Sequence, residues 1–160
     1  MSNIYKIQLK DNSNASEIAE KLSLIAAEKI LENIDEIMDD DVKFVEQDHS
    51  KASYAPKIDK IEGKINWKEP AKFIIGKING LYPAPGAFFI YKGERYKILK
   101  AEIGNGTGPS GKVLNDKLEI ACSNNESIKV VEIQKEGKKI QDINEFLNGS
   151  KIPKGCSLNE

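Results

Sequence analysis

Few residues of this 160-residue chain are of a type that does acid–base, nucleophilic or metal chemistry, and the pattern does not bring them together. The one histidine, His49, lies in the polar run Gln47-Asp48-His49-Ser50 and has no partner at a catalytic or ligand spacing. Cys122 and Cys156 form no CxxC pair and have no His or Cys companions, so they read as reduced, packed thiols. Asp39-Asp40-Asp41 reads as an acidic helix stop. Gly104-Asn105-Gly106-Thr107-Gly108 superficially suggests a phosphate-cradling loop, but Pro109 follows and no helix opens there, so it reads as a flexible loop. The remaining chemistry is charge. Residues 1–50 hold 12 acidic against 5 basic side chains, a net −7, and residues 51–160 carry +6. The split suggests two units with different partners, the second partner a polyanion; a chain merely rich in lysine would look similar.

The elements that must position these charges follow from periodicity. Tyr5, Ile7 and Leu9 alternate with Ile4, Lys6 and Gln8, an edge-strand pattern. Asp11-Asn12-Ser13-Asn14 is a turn cluster. Asn14 is placed to cap a helix, with Glu17 three positions on to complete a capping box. The helix runs to about Met38, with Ile18, Leu22, Ile25, Ile30, Ile34 and Ile37 near one face. One strand and one helix cannot bury a core, so residues 1–38 read as the tail of a larger α/β domain. Residues 39–56 are polar and aperiodic, a linker closed by Pro56.

From 57 to 160 the pattern is a small domain. Lys68-Glu69-Pro70 opens a helix with Pro in its first turn. Ala71, Ile74, Ile75 and Ile78 give that helix one apolar face, and Asn79-Gly80 ends it. Strands are expected over 87–91 and 96–103, separated by a Lys92-Gly93-Glu94-Arg95 turn. Three more follow over 112–114, 117–122 and 127–134, with turns at Asn115-Asp116 and Asn124-Asn125. Asp142 to Asn148 is a short helix, and the tail is held through Ile152 and Leu158. Short strands at this spacing suggest a mainly β fold, a small antiparallel barrel with short helices. No apolar run is long enough to span a bilayer, and the first residues lack a signal-peptide pattern, so the expected location is cytoplasmic.

Specific words then narrow the fold. SYAPKI (53–58), GKINW (63–67), LYPAPGAFF (81–89), KILKAE (97–102), GKVL (111–114), LEIACSN (118–124), IQKEGKK (133–139) and FLNGSKIPKGCSL (146–158) occur in this order. In order and spacing they resemble the C-terminal domain of methionyl-tRNA formyltransferases. The Pro-Gly-Ala-Phe segment also fits other folate-dependent formyltransferases, including the sugar-nucleotide type. The GKK and FLNG ending favours the tRNA enzyme. The resemblance implies an OB-like barrel over 57–160, preceded by the end of a Rossmann-type catalytic formyltransferase domain in residues 1–38. It implies formyl transfer from 10-formyltetrahydrofolate to initiator methionyl-tRNA in translation initiation. The family's catalytic Asn, its His in an HPSLLP-like segment and its Asp find no counterpart here. The chain is therefore expected to be inactive alone, to bind no folate itself, and to supply tRNA affinity. A separately encoded N-terminal catalytic half could restore activity; a stand-alone RNA-binding module and a broken gene product are the alternatives. Neither DNA nor membrane is an expected partner.

In such a domain the barrel and linker form a positive channel along the tRNA. The candidates for phosphate contact are Lys57, Lys60, Lys64, Arg95, Lys138, Lys139, Lys151 and Lys154. Lys57 carries over most directly, from Tyr-Ala-Pro-Lys; Lys138 and Lys139 follow Gly137 in a turn. For any single one, a solvated surface lysine is the competing reading. Trp67 could stack on a base or, more in keeping with a lone Trp after Ile65, plug the barrel. The family often has Asp before this Trp; here it is Asn66. Of Phe88 and Phe89, one ring should point in and one out. Pro83 and Pro85 should fix a helix-to-strand crossover, with Gly86 allowing tight backbone there.

Overall fold

The computed structural model describes residues 4–39 and 45–158, in two compact units divided between Lys57 and Ile58. Each unit is described by itself. The first is dominated by helix α1 (Ala15–Met38). The Asn14 side chain accepts from the Glu17 N–H at 3.0 Å and the Glu17 carboxylate accepts from the Asn14 N–H at 3.3 Å, the reciprocal box expected from the sequence. No residue of α1 is buried, although Leu22, Ile30, Ile34 and Ile37 form its apolar stripe. The expected strand over residues 4–9 is not formed: residues 4–10 have no regular structure. An isolated strand leaves its N–H and C=O groups unpaired, and the described part of this unit contains no second strand to pair with. The segment instead touches α1 through Tyr5, whose hydroxyl accepts from Asn33 Nδ2 at 3.5 Å and whose ring lies 5.6 Å from Lys29 Nζ. His49 opens an exposed 3-10 turn, His49–Lys51, capped by Asp48.

The second unit is an antiparallel sheet with short helices. Its strands are β1 (Ala87–Tyr91), β2 (Glu94–Ile103), β3 (Glu119–Ala121), β4 (Ser127–Lys135) and β5 (Gln141–Asp142). The order is β1-β2-β4-β3, with β5 also on β4. Helix α2 (Ala71–Gly80) turns Ala71, Ile74 and Ile78 into the core, and each isoleucine contributes about 1.5–3 kcal/mol by burial. Pro70 is its N-cap, one position outside the expected first turn. The Glu126 carboxylate, from the β3–β4 turn, accepts from the Ala71 N–H at 2.7 Å and satisfies one of the helix's free donors. Helix α3 (Ile143–Gly149) is capped by Asp142.

Both outer strands are covered. Ile65 N–H donates to Phe88 O at 2.8 Å alongside β1. Leu114 N–H donates to Glu119 O and Ala121 N–H to Lys112 O alongside β3. Residues 112–114, expected as a strand, make single bridges rather than a ladder. The tail then continues this layer, with Val113 N–H donating to Cys156 O and Leu158 N–H to Gly111 O. Trp67 closes the circuit: its Nε1–H donates to Leu158 O at 3.1 Å across a buried contact. Trp67 is 1% exposed, so it plugs the core and has no face free for a base. Phe89 and Tyr96 stack at 5.5 Å beside it, and Phe146 meets Tyr96 edge-on at 5.9 Å. Ile152 and Leu158 are buried, as expected.

Candidate nucleic-acid interface

The β1–β2 hairpin decides where the basic residues go. The expected four-residue turn is a two-residue one, Lys92-Gly93, with φ of 52° and 77°, closed by the Tyr91–Glu94 pair. This is the primed geometry that suits right-twisted strands. Glu94 and Arg95 therefore already belong to β2, and alternation follows. Tyr96 and Ile98 enter the core with Phe89 and Ile133. Arg95 and Lys97 take the opposite face, beside Ile90 and Phe88 on β1 and Gln134 on β4.

Phe88 is the ring that points away from the core, yet it is only 6% exposed. The Arg95 guanidinium covers it, with the Cζ atom 3.8 Å from the ring centre, a cation–π contact. Gly63 also packs close to this ring; a Cβ there would fall 3.3 Å from Phe88 Cδ1 and 2.5 Å from Gly86 O. Arg95 Nε and Nη2 are shielded from water and bonded to no acceptor among the described residues. A buried unsatisfied donor costs about 1–3 kcal/mol, more when charged, so an acceptor brought to this edge is strongly favoured.

Arg95 forms one wall of a cavity of about 320 Å³. Lys60, Lys97, Gln134, Glu136 and Gly137 complete it, with Ala84 and Pro85 as its apolar part. The Lys97 stem crosses Gly86, where a Cβ would sit 2.8 Å from Lys97 Cδ. The Pro-Ala-Pro-Gly run thus shapes the cavity as well as leading from α2 into β1. No carboxylate among the described residues lies within ion-pair distance of Lys60, Arg95 or Lys97. Lys135, on the other face of β4, is by contrast paired with Glu94 at 2.8 Å.

Of the eight expected contact residues, the structure brings Lys60 and Arg95 together in this cavity. Lys138 and Lys139 follow Gly137 in the exposed β4–β5 turn, with Lys138 N–H donating to Lys135 O. Lys64 lies alongside β1 in the Lys64–Phe88 bridge. Lys151 lines a separate cavity of about 350 Å³ with Asp116, Leu147, Ile152 and Pro153, and Lys154 is exposed in the turn beyond it. Lys57 belongs to the first unit and is exposed. Sequence reasoning missed Lys97. Its signal is the i, i+2 spacing from Arg95, which a four-residue turn ending at Arg95 conceals. Asn66, where the family often has Asp, accepts from the Lys68 N–H at 3.1 Å in an Asx turn.

The glycine-rich loop is held rather than loose. Glu119, 6% exposed, accepts from the Asn105 and Gly106 N–H groups, from Ser127 Oγ and from Asn115 Nδ2, all at 2.7–2.8 Å. Burial raises the pKa of this carboxyl, but the donors together exceed that effect and hold it below its ordinary value. The loop's N–H groups are turned onto a carboxylate of the protein itself, so it is no phosphate cradle. Cys122 and Cys156 are free; burial pushes the Cys122 thiol up to about 11, which makes it unreactive.

The profile of the formyl transferase C-terminal domain matches residues 57–151, which hold the whole cavity. This chain belongs to that family. It is 58% identical over 158 residues to the methionyl-tRNA formyltransferase of Pelagibacter ubique (strain HTCC1062), covering 99% of this chain and 51% of that relative. The chain thus spans about half the length of the curated relatives it matches. Two solved structures share the fold. HypX from Aquifex aeolicus superposes with a TM-score of 0.67 at 17% identity, over 89% of this chain and 27% of HypX. WlaRD, a sugar 3N-formyl transferase solved in the presence of dTDP and 5-N-formyl-THF, gives 0.58 at 20% identity, over 82% of this chain and 47% of WlaRD.

Proposed function

We propose that this chain supplies the tRNA-binding C-terminal part of a methionyl-tRNA formyltransferase. The reaction is formyl transfer from 10-formyltetrahydrofolate to the amino group of initiator methionyl-tRNA, in the cytoplasm. The chain contributes RNA affinity, and the amine-activating and carbonyl-polarising groups belong to a catalytic half. The observation that carries this reading is the unpaired cationic face of β2, Arg95 and Lys97 with Lys60, inside the matched domain. RNA binding draws on such cations to neutralise phosphates and release counterions. Lys57, Lys64, Lys138, Lys139, Lys151 and Lys154 extend the contact. The 58% identity to a relative named for the tRNA substrate favours tRNA over a sugar nucleotide.

The test is binding of initiator tRNA to the whole chain by fluorescence anisotropy at several salt concentrations. Affinity should fall as salt rises, and Lys138→Ala with Lys139→Ala should weaken it. A salt-insensitive affinity, or none, would sink the reading. Mixing the chain with a catalytic half from the Pelagibacter relative should restore formylation of methionyl-tRNA, while the chain alone should give none.

A further inference from the structure

We propose that the cavity between β2, the β4–β5 turn and the Pro-Ala-Pro-Gly run is a single-phosphate site, with Arg95 as its two-donor fork. The proposal deepens the RNA-binding reading and rests on it for the macromolecular source of the phosphate. Three observations point to one oxyanion. Arg95 Nε and Nη2 lie on one edge of the guanidinium, the edge that binds two oxygens side by side, and both lack an acceptor. The guanidinium rests on the ring of Phe88, and a slide along that ring opens the edge, shielded from water at rest, to the cavity. Lys60 and Lys97 line the same cavity and have no ion pair among the described residues, against the single carboxylate of Glu136 in its lining.

Phosphate suits this set better than carboxylate. Its tetrahedral oxygens can meet the Arg95 edge and both ammonium groups from different directions, whereas a carboxylate has only two oxygens, held in one plane, to share among them. The cavity, at about 320 Å³, has room for the sugar that carries the phosphate. Ala84 and Pro85 give that sugar an apolar wall, and Gln134, whose Nε2–H donates to Lys138 O at 2.8 Å, keeps its carbonyl for a hydroxyl. An internal phosphodiester and a terminal monoester of RNA share this chemistry.

Two measurements test the site. In the first, Arg95→Met and Lys97→Met are compared with wild type and with Lys72→Met, an exposed α2 lysine outside the cavity. Methionine keeps an apolar cover on Phe88, and Lys97→Met leaves that stack untouched. Each cavity variant should bind tRNA about 3- to 10-fold more weakly, and the log–log salt slope should be shallower by about 0.7–0.9, the loss of one phosphate. Lys72→Met should match wild type. A loss confined to 5′-phosphorylated RNA identifies a terminal monoester, and an equal loss on 5′-hydroxyl RNA identifies a backbone diester. Wild-type affinity and slope in both cavity variants would overturn the site and leave the RNA reading standing. In the second measurement, inorganic phosphate is titrated into the chain while the arginine Nε–H resonances are followed. Arg95 should shift, and the shift should vanish in Lys97→Met. No shift overturns the site, whatever the RNA result.

Discussion

Lys97 lies across Gly86, close enough that a Cβ on the glycine would stand 2.8 Å from Lys97 Cδ. The two positions are joined by the hairpin, since Phe88 pairs with Lys97 one step beyond Ala87. Gly86 also has a φ of +82°, where an L side chain is strained by about 1–2 kcal/mol. Gly86→Ala should therefore destabilise the second unit by about that amount and displace Lys97, weakening tRNA binding about as much as Lys97→Met does. Gly93→Ala is the control, because its φ is +77° but nothing lies within 4 Å of its Cβ position. It should show the strain in urea denaturation with tRNA affinity intact. Equal affinity losses in both variants would mean that Gly86 acts through stability alone.

Glu119 should give the fold a pH dependence of known sign. Its folded pKa is held below the usual 4.5, so its contribution is present above that value and is lost as pH falls through the lower folded value. Glu119→Gln keeps the shape but replaces a charged acceptor facing four donors. It should cost about 2–3 kcal/mol at pH 7, the scale of one charge-assisted hydrogen bond. The gap between wild type and variant should narrow towards pH 3 in urea denaturation. A gap constant over that range would mean that the carboxylate charge contributes nothing to holding residues 104–106.

How much of this could be read in advance depended on whether the signal was local. The Asn14–Glu17 box, the end of α1 at Met38, the buried α2 residues and the turns at Asn115 and Asn124 are short-range matters, and the structure has them as read. The apparent strand at residues 4–9 failed because alternation says only that a segment could pair, and pairing needs a partner. β5 was missed because two residues carry no period. The cavity was half legible. Arg95 and Lys60 were picked out for their charge, but Lys97 and the stacking on Phe88 depend on register, because a shift of two residues in the turn keeps each side chain on its face but changes its cross-strand partner. The hold of Glu119 on a loop about 14 residues away was invisible, since nothing in a lone glutamate announces its donors.

Trp67 is expected to be the main closure of the second unit. Trp67→Phe would leave Leu158 O buried without its donor and open space beside Phe89. The two effects together should cost about 2–4 kcal/mol. Circular dichroism during urea unfolding reads this directly, as the variant has no tryptophan. Lys138→Ala, which is exposed, should leave the midpoint unchanged. A Trp67→Phe chain as stable as wild type would show that the tail from Gly155 to Leu158 is held by its backbone bonds to residues 111–113 instead.

Tyr96 offers an independent reading of core burial. Its pKa is pushed up to about 12, first by burial and then by donation to Glu94 Oε2 at 2.8 Å. Neutral Tyr96 therefore stabilises the fold fully below the usual phenol value of 10.0, and that contribution is lost as pH rises through about 12. In a difference titration of wild type against Tyr96→Phe, followed by phenolate absorbance, the Tyr96 signal should be absent at pH 10.5 and emerge only near pH 12 or on unfolding. The same variant should lose about 1 kcal/mol at pH 7, the worth of one hydrogen bond. A phenolate signal from Tyr96 centred near pH 10 would mean that water reaches this ring, and with it the aromatic row from Trp67 to Phe146 on which the Arg95 face is built.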